Sequence, residues 1–464
     1  MKDPTEALAE FVAGTPASTI PADVRRAALL TVADSVGTAI AGTAEPAPSV
    51  IRRSLLRWNE RGSSFVLGAA VTATPPAAAA INAAAAHALD FDSISFAVSG
   101  FVGSAELCAL SAVVDDAGPG RWTGDEVLTA YILGWEGAAA LARAVNPRHY
   151  AIGWHPTSTL GGFAATLAVT RLLGLGPSET RAAIAIAVAE ASGVKTMVGN
   201  MANAWHVGKA ARNGVIAAHL AADGFTGHPA ALEAPMGFLN LFNGVDQHDP
   251  DAIDRTAGSV WDLLDPGPIV KMYPCCGLIH SALDAVLELR ERHHIEPADV
   301  TAVEVLFHEF IPGVMNVDVP EDAYAAKFSV PYCVATTLLD GRCDLRSFDT
   351  VRPDVVALGS RVRHGVHPEL RGGETFLAEE FTDVVIRTPA GDHERRVHRM
   401  QNRGTGGHLE TARAREKLEA CLEFGAWPGG HRDVWDRVTA LDGDGPWDPW
   451  GREPGTAADP RGGP

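Results

Sequence analysis

Alanine and glycine crowd one helical stretch after another through residues 1–265, and this restricts the fold more than any other feature of the chain. Ala83–Ala86, Ala138–Ala140 and Gly161-Gly162 lie in segments whose apolar residues recur at helical spacing. Side chains this small let helix axes approach closely, so compact helix-on-helix packing is expected. Leu29, Val32, Val36, Ala39 and Ile40 follow the pattern between Pro21, a helix-start residue, and Gly42, a helix-end residue. Thr123 and Glu126 have capping-box spacing and open a helix running to about Ala144, ahead of Asn146-Pro147. Gly176-Pro177-Ser178 turns into another through Ala182–Ala191.

The pattern changes after Pro266-Gly267-Pro268. Val303, Val305 and Phe307 alternate with Ala302, Glu304 and Leu306, the period of a strand with one buried face. Thr382–Thr388, a Pro389-Ala390-Gly391-Asp392 turn and His393–Val397 read as a hairpin. Leu409–Phe424 is helical again. The expected fold is mostly α: a large all-helical domain over 1–265, rejoined by 405–440, and a smaller α+β lid domain over 266–404 inserted before the C-terminal helices. The Gly-, Pro- and Trp-rich tail, 441–464, is expected to be irregular or disordered.

Charge narrows the function classes. With 38 basic and 57 acidic residues the formal charge is −19, so no basic face is left over for nucleic acid. An anionic small substrate remains open, because a few local cations dominate a pocket. The polar start Met1-Lys2-Asp3-Pro4-Thr5-Glu6 lacks the apolar run of a secretory signal, so none is expected there, and a cytoplasmic location is expected. The most apolar stretches, Thr159–Leu173 and Ala182–Val194, are interrupted by Arg171 and Glu190 and fall short of the roughly 20 apolar residues of a membrane span. None of the six cysteines makes a Cys-x-x-Cys pair, so buried free thiols are expected rather than a metal site or a disulfide framework. Lysine is scarce: Lys2, Lys195, Lys209, Lys271, Lys327 and Lys417 are the only ones. Each lysine in an apolar context is therefore a candidate for a specific task.

Four segments concentrate polar chemistry. In His87-Ala88-Leu89-Asp90-Phe91-Asp92 the two acids flank one Phe and point in different directions. His155, in Gly153-Trp154-His155-Pro156-Thr157-Ser158, precedes a Pro that favours a helix start. A helix N-terminus lowers a His pKa and favours anions. His206, Lys209 and Arg212 stand at i, i+3 and i+6, roughly along one helix face. The fourth segment pairs Lys271-Met272-Tyr273-Pro274-Cys275-Cys276 and His280 with Lys327–Tyr332. Each also has a structural explanation: capping acids, a capping His, a snorkelling Lys, a core Tyr. No HExxH motif and no nucleophile elbow occurs. From the residues alone the chain reads as a helical protein with scattered His, Lys, Asp and Tyr, suited to acid–base chemistry.

Taken together and in this order, these segments resemble the MmgE/PrpD family, which includes 2-methylcitrate dehydratase, cis-aconitate decarboxylase and iminodisuccinate epimerase. The matching pieces are Ala33-Asp34-Ser35-Val36-Gly37, His87–Asp92, Gly153–Thr157, His206–Arg212, Tyr273–Cys276 with His280, and Lys327–Tyr332. The resemblance implies a helical domain with an α+β lid, an active site in the cleft between them, a homodimer, a small-molecule carboxylate substrate, and no metal or organic cofactor. It also implies Asp90, His155, Lys209, His280 and Tyr332 as catalytic residues, with Ile94, Phe101, His206 and Lys271 beside the substrate. One loop departs from the family pattern, which runs Asp-Phe-Asp-Asp-Thr and then reaches a His-Pro. Here Ile94 takes the place of the Thr and Phe101 that of the His.

The expected reaction is elimination of water from a small, alkyl-substituted hydroxy-carboxylate. It needs a base for the Cα proton, an acid for the leaving hydroxyl and a cation for the developing charge. Decarboxylation of an unsaturated polycarboxylate, epimerisation of a dicarboxylate, and binding without catalysis are the alternatives.

Overall fold

The computed structural model describes residues 2–58, 62–371, 381–398, 411–427 and 431–451, and the chain is mostly helical. The longer helices of the first part run Pro4–Gly14, Ala22–Gly42, Pro46–Leu56, Pro75–His87, Gly103–Ala117, Gly124–Val145, Gly161–Leu172, Pro177–Glu190 and Ala202–Ala222. Their start signals act as read. Pro sits in the first turn of Pro75–His87 and Pro177–Glu190, and Thr123 and Glu126 close a reciprocal capping box. Ala202–Ala222 packs against both Pro75–His87 and Gly161–Leu172 at the centre of the bundle. Small residues are required where these helices cross. A Cβ on Gly42 would lie 2.0 Å from the Ala85 carbonyl oxygen, and one on Gly208 2.6 Å from that of Ala80. Gly42 is accordingly the last residue of its helix, chosen for close approach rather than for a left-handed cap.

A two-residue antiparallel pair, Ser64–Phe65 with Thr72–Ala73, interrupts what was expected to be all helix. The second part carries a four-stranded sheet in the order Val362–Val366, Ala302–Phe307, Phe381–Thr388, Gly391–His398, its first pair parallel and the others antiparallel. Val303, Val305 and Phe307 are buried and alternate with half-buried neighbours, because the helices His280–His293 and Val330–Asp340 pack on the sheet.

Two large hydrophobic cores result. One gathers residues from Ala7 to Leu263 and again from Ala414 to Trp450; the other spans Cys275 to Val397. The helix Thr411–Phe424 returns to the first core, with Leu418 against Gly37 and a buried ion pair between Lys417 and Asp34. The tail is irregular, yet its described part is packed. Trp447 and Trp450 are buried, Trp447 Nε1 donates to Ser111 Oγ, and Gly124 N–H donates to the Gly445 carbonyl. All six cysteines are buried and free. No single described helix is long and apolar enough to cross a membrane.

Candidate active site

A cavity of about 740 Å³, counting its mouth, opens where the helical part meets the strand-bearing part. From the first come Asp90, Ile94, Ser99, Phe101, Tyr150, His155, Lys195, Val198 and Asn203; from the second come Ile269, Cys276, Gly277, Leu278, Val314 and Phe328. Its walls are mainly apolar, and the polar groups are few.

Asp90 sits just past the helix Pro75–His87 with φ +48°, a left-handed conformation that Asp tolerates. Three bonds hold the loop. Lys271 Nζ donates to the Asp90 carbonyl and lies 2.9 Å from Asp90 Oδ2, and Lys417 Nζ donates to the Phe91 carbonyl. Asp92 turns the other way, to His87 Nδ1 at 2.8 Å and Ser104 Oγ at 2.9 Å, so the two acids flanking Phe91 do diverge. Further on, Ile94 exchanges backbone hydrogen bonds with Ile269 across the two parts. Ser95 Oγ and the Ala97 N–H both donate to buried Asp262, which fixes the loop leading to Phe101.

His155 caps the short helix Pro156–Thr159. A two-stranded bridge places it beside Lys195: the His155 N–H donates to the Gly193 carbonyl, and the Lys195 N–H to the Gly153 carbonyl. Gly193, at φ +122°, is required there, since a Cβ would lie 2.4 Å from Ser158 Oγ. His155 Nδ1 and His206 Nδ1 are 2.8 Å apart. Burial first, then the neighbouring His206, holds His155 well below the ordinary histidine range. Burial, helped by Lys209, pushes His206 down to about 4. Both imidazoles are therefore neutral near pH 7.

Lys195 Nζ lies 3.8 Å from the centre of the Tyr150 ring and has no carboxylate partner among the described residues. Burial lowers its pKa to about 8. Asn203 is 1% exposed. One atom of its amide bonds the Tyr324 hydroxyl at 3.1 Å, while the other is buried without a partner among the described residues. The Cys276 thiol is pushed up to about 12, by burial first, so it stays protonated and unreactive.

Asp90, Ile94, Phe101 and His155 thus share the cavity. Lys271 is fully buried behind Asp90, and its ammonium stands 5.2 Å from the Phe101 ring centre. His206 is one layer back, behind His155. Lys209 lies outside the cavity lining: its Nζ donates to the Ser192 carbonyl and hydroxyl at 2.7 and 2.8 Å, and burial brings it down to about 8. His280 also stands behind the wall, with Nε2 at 3.1 Å from the Cys275 carbonyl and its ring edge-on to Tyr273.

Tyr332 lies elsewhere. Its hydroxyl donates to the Thr350 carbonyl and accepts from the Arg352 N–H, beside a separate groove lined by Asp318, Pro320 and His364. Ser329, the extended N-cap of the helix Val330–Asp340, breaks the helical phase between Phe328, which faces the cavity, and Tyr332, which does not. Tyr332 is therefore removed from the expected site. Tyr150, Lys195 and Asn203 join the lining unannounced by any of the four segments; only the scarcity of lysine had marked Lys195. Among the described residues no group of three or more His, Cys, Asp or Glu is arranged to hold a metal ion.

Comparison with known proteins agrees with this architecture. The MmgE/PrpD N-terminal domain matches residues 6–251 and the MmgE/PrpD C-terminal domain residues 273–427. The chain is 27% identical over 366 residues to a cis-aconitate decarboxylase of Aspergillus terreus, covering 74% of each protein. It is 27% identical over 386 residues to the cis-aconitate decarboxylase of Homo sapiens, covering 80% of this chain and 78% of the other. The enzyme of that name from Mus musculus is 26% identical over 377 residues. With both domains matched in chain order on either side of the cavity, the chain belongs to the MmgE/PrpD family.

Proposed function

We propose that the protein is a lyase acting on a small unsaturated carboxylic acid, and that the bond it breaks is a carbon–carboxylate bond. One observation carries this: a neutral imidazole, His155, and an acid-free ammonium, Lys195, face the same apolar cavity. An apolar wall is a poor solvent for a carboxylate and a good one for carbon dioxide, so it favours loss of the charge. The decarboxylase names of the relatives support the same reading.

In the proposed sequence one substrate carboxylate pairs with Lys195. A second, allylic to the double bond, lies against the apolar walls. Its C–C bond breaks and carbon dioxide leaves. The released pair forms a new double bond, and the old π pair moves to the carbon next to the Lys195-bound carboxylate. Lys195 stabilises that enolate-like charge. His155 delivers its Nε2–H proton to the carbon while the shared proton passes from His206 Nδ1 to His155 Nδ1, and a proton from water replaces it on His206 Nε2. Asp90 and Lys271 hold the loop and the wall.

Dehydration, the reaction first expected, uses the same groups with His155 as base. The partnerless amide atom of Asn203 favours it, since a substrate hydroxyl there would find a hydrogen-bond partner. Proton NMR of purified protein with unsaturated and hydroxy acids in heavy water separates the two. Decarboxylation releases carbon dioxide and places one deuterium on the product, whereas dehydration makes a new alkene with no loss of carbon. His155→Gln should lower turnover by about 10²- to 10⁴-fold. Wild-type turnover in that variant would remove His155 from the mechanism.

A further inference from the structure

The cavity holds too little positive charge for a tricarboxylate. Of its lining residues only Lys195 is a cation, and it has no carboxylate partner among the described residues. The nearby ammonium of Lys271 is already neutralised by Asp90 at 2.9 Å, and both side chains are buried. His155 and His206 are neutral. Apart from the Asp90 carboxylate and the uncharged polar groups of Ser99, Tyr150, Asn203 and Cys276, the remaining wall is apolar: Ile94, Phe101, Ile269, Leu278 and Phe328 face the space. A third carboxylate in that space would lose its water and gain no cation, only the uncharged groups of Ser99, Tyr150 and Asn203. An alkyl group of the same size would bury apolar surface instead.

We infer that the substrate is an unsaturated dicarboxylate bearing an alkyl group where cis-aconitate has its central carboxylate, with its retained carboxylate anchored on Lys195 and the alkyl group against Ile94 and Phe101. Resting on the decarboxylation proposed above, this assignment names a 3-alkylglutaconate as the substrate class. Carbon dioxide leaves from the CH₂-carboxylate, its bonding pair becomes the new terminal double bond, and the old alkene carbon takes one proton. The products are a 3-alkyl-3-butenoate and carbon dioxide. No oxidant or second reactant is needed.

The test compares 3-propylglutaconate with cis-aconitate on the full-length protein, with binding measured by titration calorimetry and turnover by carbon dioxide release. The expected result is at least about 10-fold tighter binding of 3-propylglutaconate, in line with hydrophobic-pocket discrimination. Lys195→Gln should weaken that binding by at least about 10-fold, and Lys195→Arg should restore most of it. Equal or tighter binding of cis-aconitate overturns the assignment, as does saturable binding of neither acid or an unchanged affinity in Lys195→Gln. The wild-type comparison stands even where a variant fails to fold. Tight 3-propylglutaconate binding without carbon dioxide release upholds the assignment of substrate class and overturns the decarboxylase reading. Efficient turnover of cis-aconitate over 3-propylglutaconate does the reverse.

Discussion

His155 and His206 meet Nδ1 to Nδ1 at 2.8 Å, and with both rings neutral this contact holds a single proton. Whichever Nδ1 carries it fixes the tautomer of both rings. If His206 donates, His155 bears its own proton on Nε2 and is an acid; if His155 donates, its Nε2 is bare and is a base. The pair can thus hand a proton on without either ring becoming charged, provided that water supplies one to His206 Nε2 in the same step, which suits a dry cavity where an imidazolium would be costly.

The pH profile of kcat/KM follows from this pair and Lys195. Neutral His155 and charged Lys195 are the working forms. Activity should stay level through neutrality, fall as pH rises through about 8, where Lys195 deprotonates, and fall on the acid side only well below 6.5. Lys195→Arg should abolish the alkaline limb, because an arginine keeps its charge. The measurement is kcat/KM against pH for both proteins; an alkaline limb unmoved in Lys195→Arg would assign it to another group.

Stability should depend on pH through the same histidines. Their folded pKa values lie below the ordinary 6.5, so between those values and 6.5 the unfolded chain binds more protons. The unfolding free energy is then lost as pH falls from about 6.5 toward 4. Urea unfolding at a series of pH values should show this slope, and it should flatten in a His155→Gln, His206→Gln double variant.

Asp90 and Lys271 form a buried ion pair, and each should matter more alone than together. Asp90→Asn or Lys271→Met strands one buried charge, at a cost of about 3–5 kcal/mol. The double variant should lose clearly less than the sum of the two. Chemical unfolding of all four proteins closes the cycle, and additive losses would mean that the two charges do not interact.

Tyr332→Phe should leave turnover within about two-fold and cost about 1 kcal/mol of stability. The phenol's two hydrogen bonds, to Thr350 and Arg352, are structural. A large drop in kcat at unchanged stability would return Tyr332 to the site.

Much of the fold was legible because its signals are local. The Thr123–Glu126 capping box, the small residues at helix crossings and the alternation of Val303, Val305 and Phe307 each depend on neighbours a few residues away. The site was legible in part. Asp90 and His155 lie in segments that could be recognised, as did the opposed directions of Asp90 and Asp92. Lys195 could not be placed, because its position depends on Gly193 bending the chain so that the 193–195 segment pairs with 153–155. Tyr332 entered the expected site through the family resemblance alone, whereas in the fold its hydroxyl is held by Thr350 and Arg352, on a helix that the Ser329 cap starts afresh after Phe328.

From the residue order alone follow the helices, the strands, the break after Pro268 and the excess of acid, since short-range sterics, hydrogen bonding and charge decide these. Only the folded chain determines which polar groups share one cavity. That depends on where side chains from residues as far apart as Asp90, Lys195 and Lys271 point once two separate cores have formed, and on which charges each core leaves unpaired.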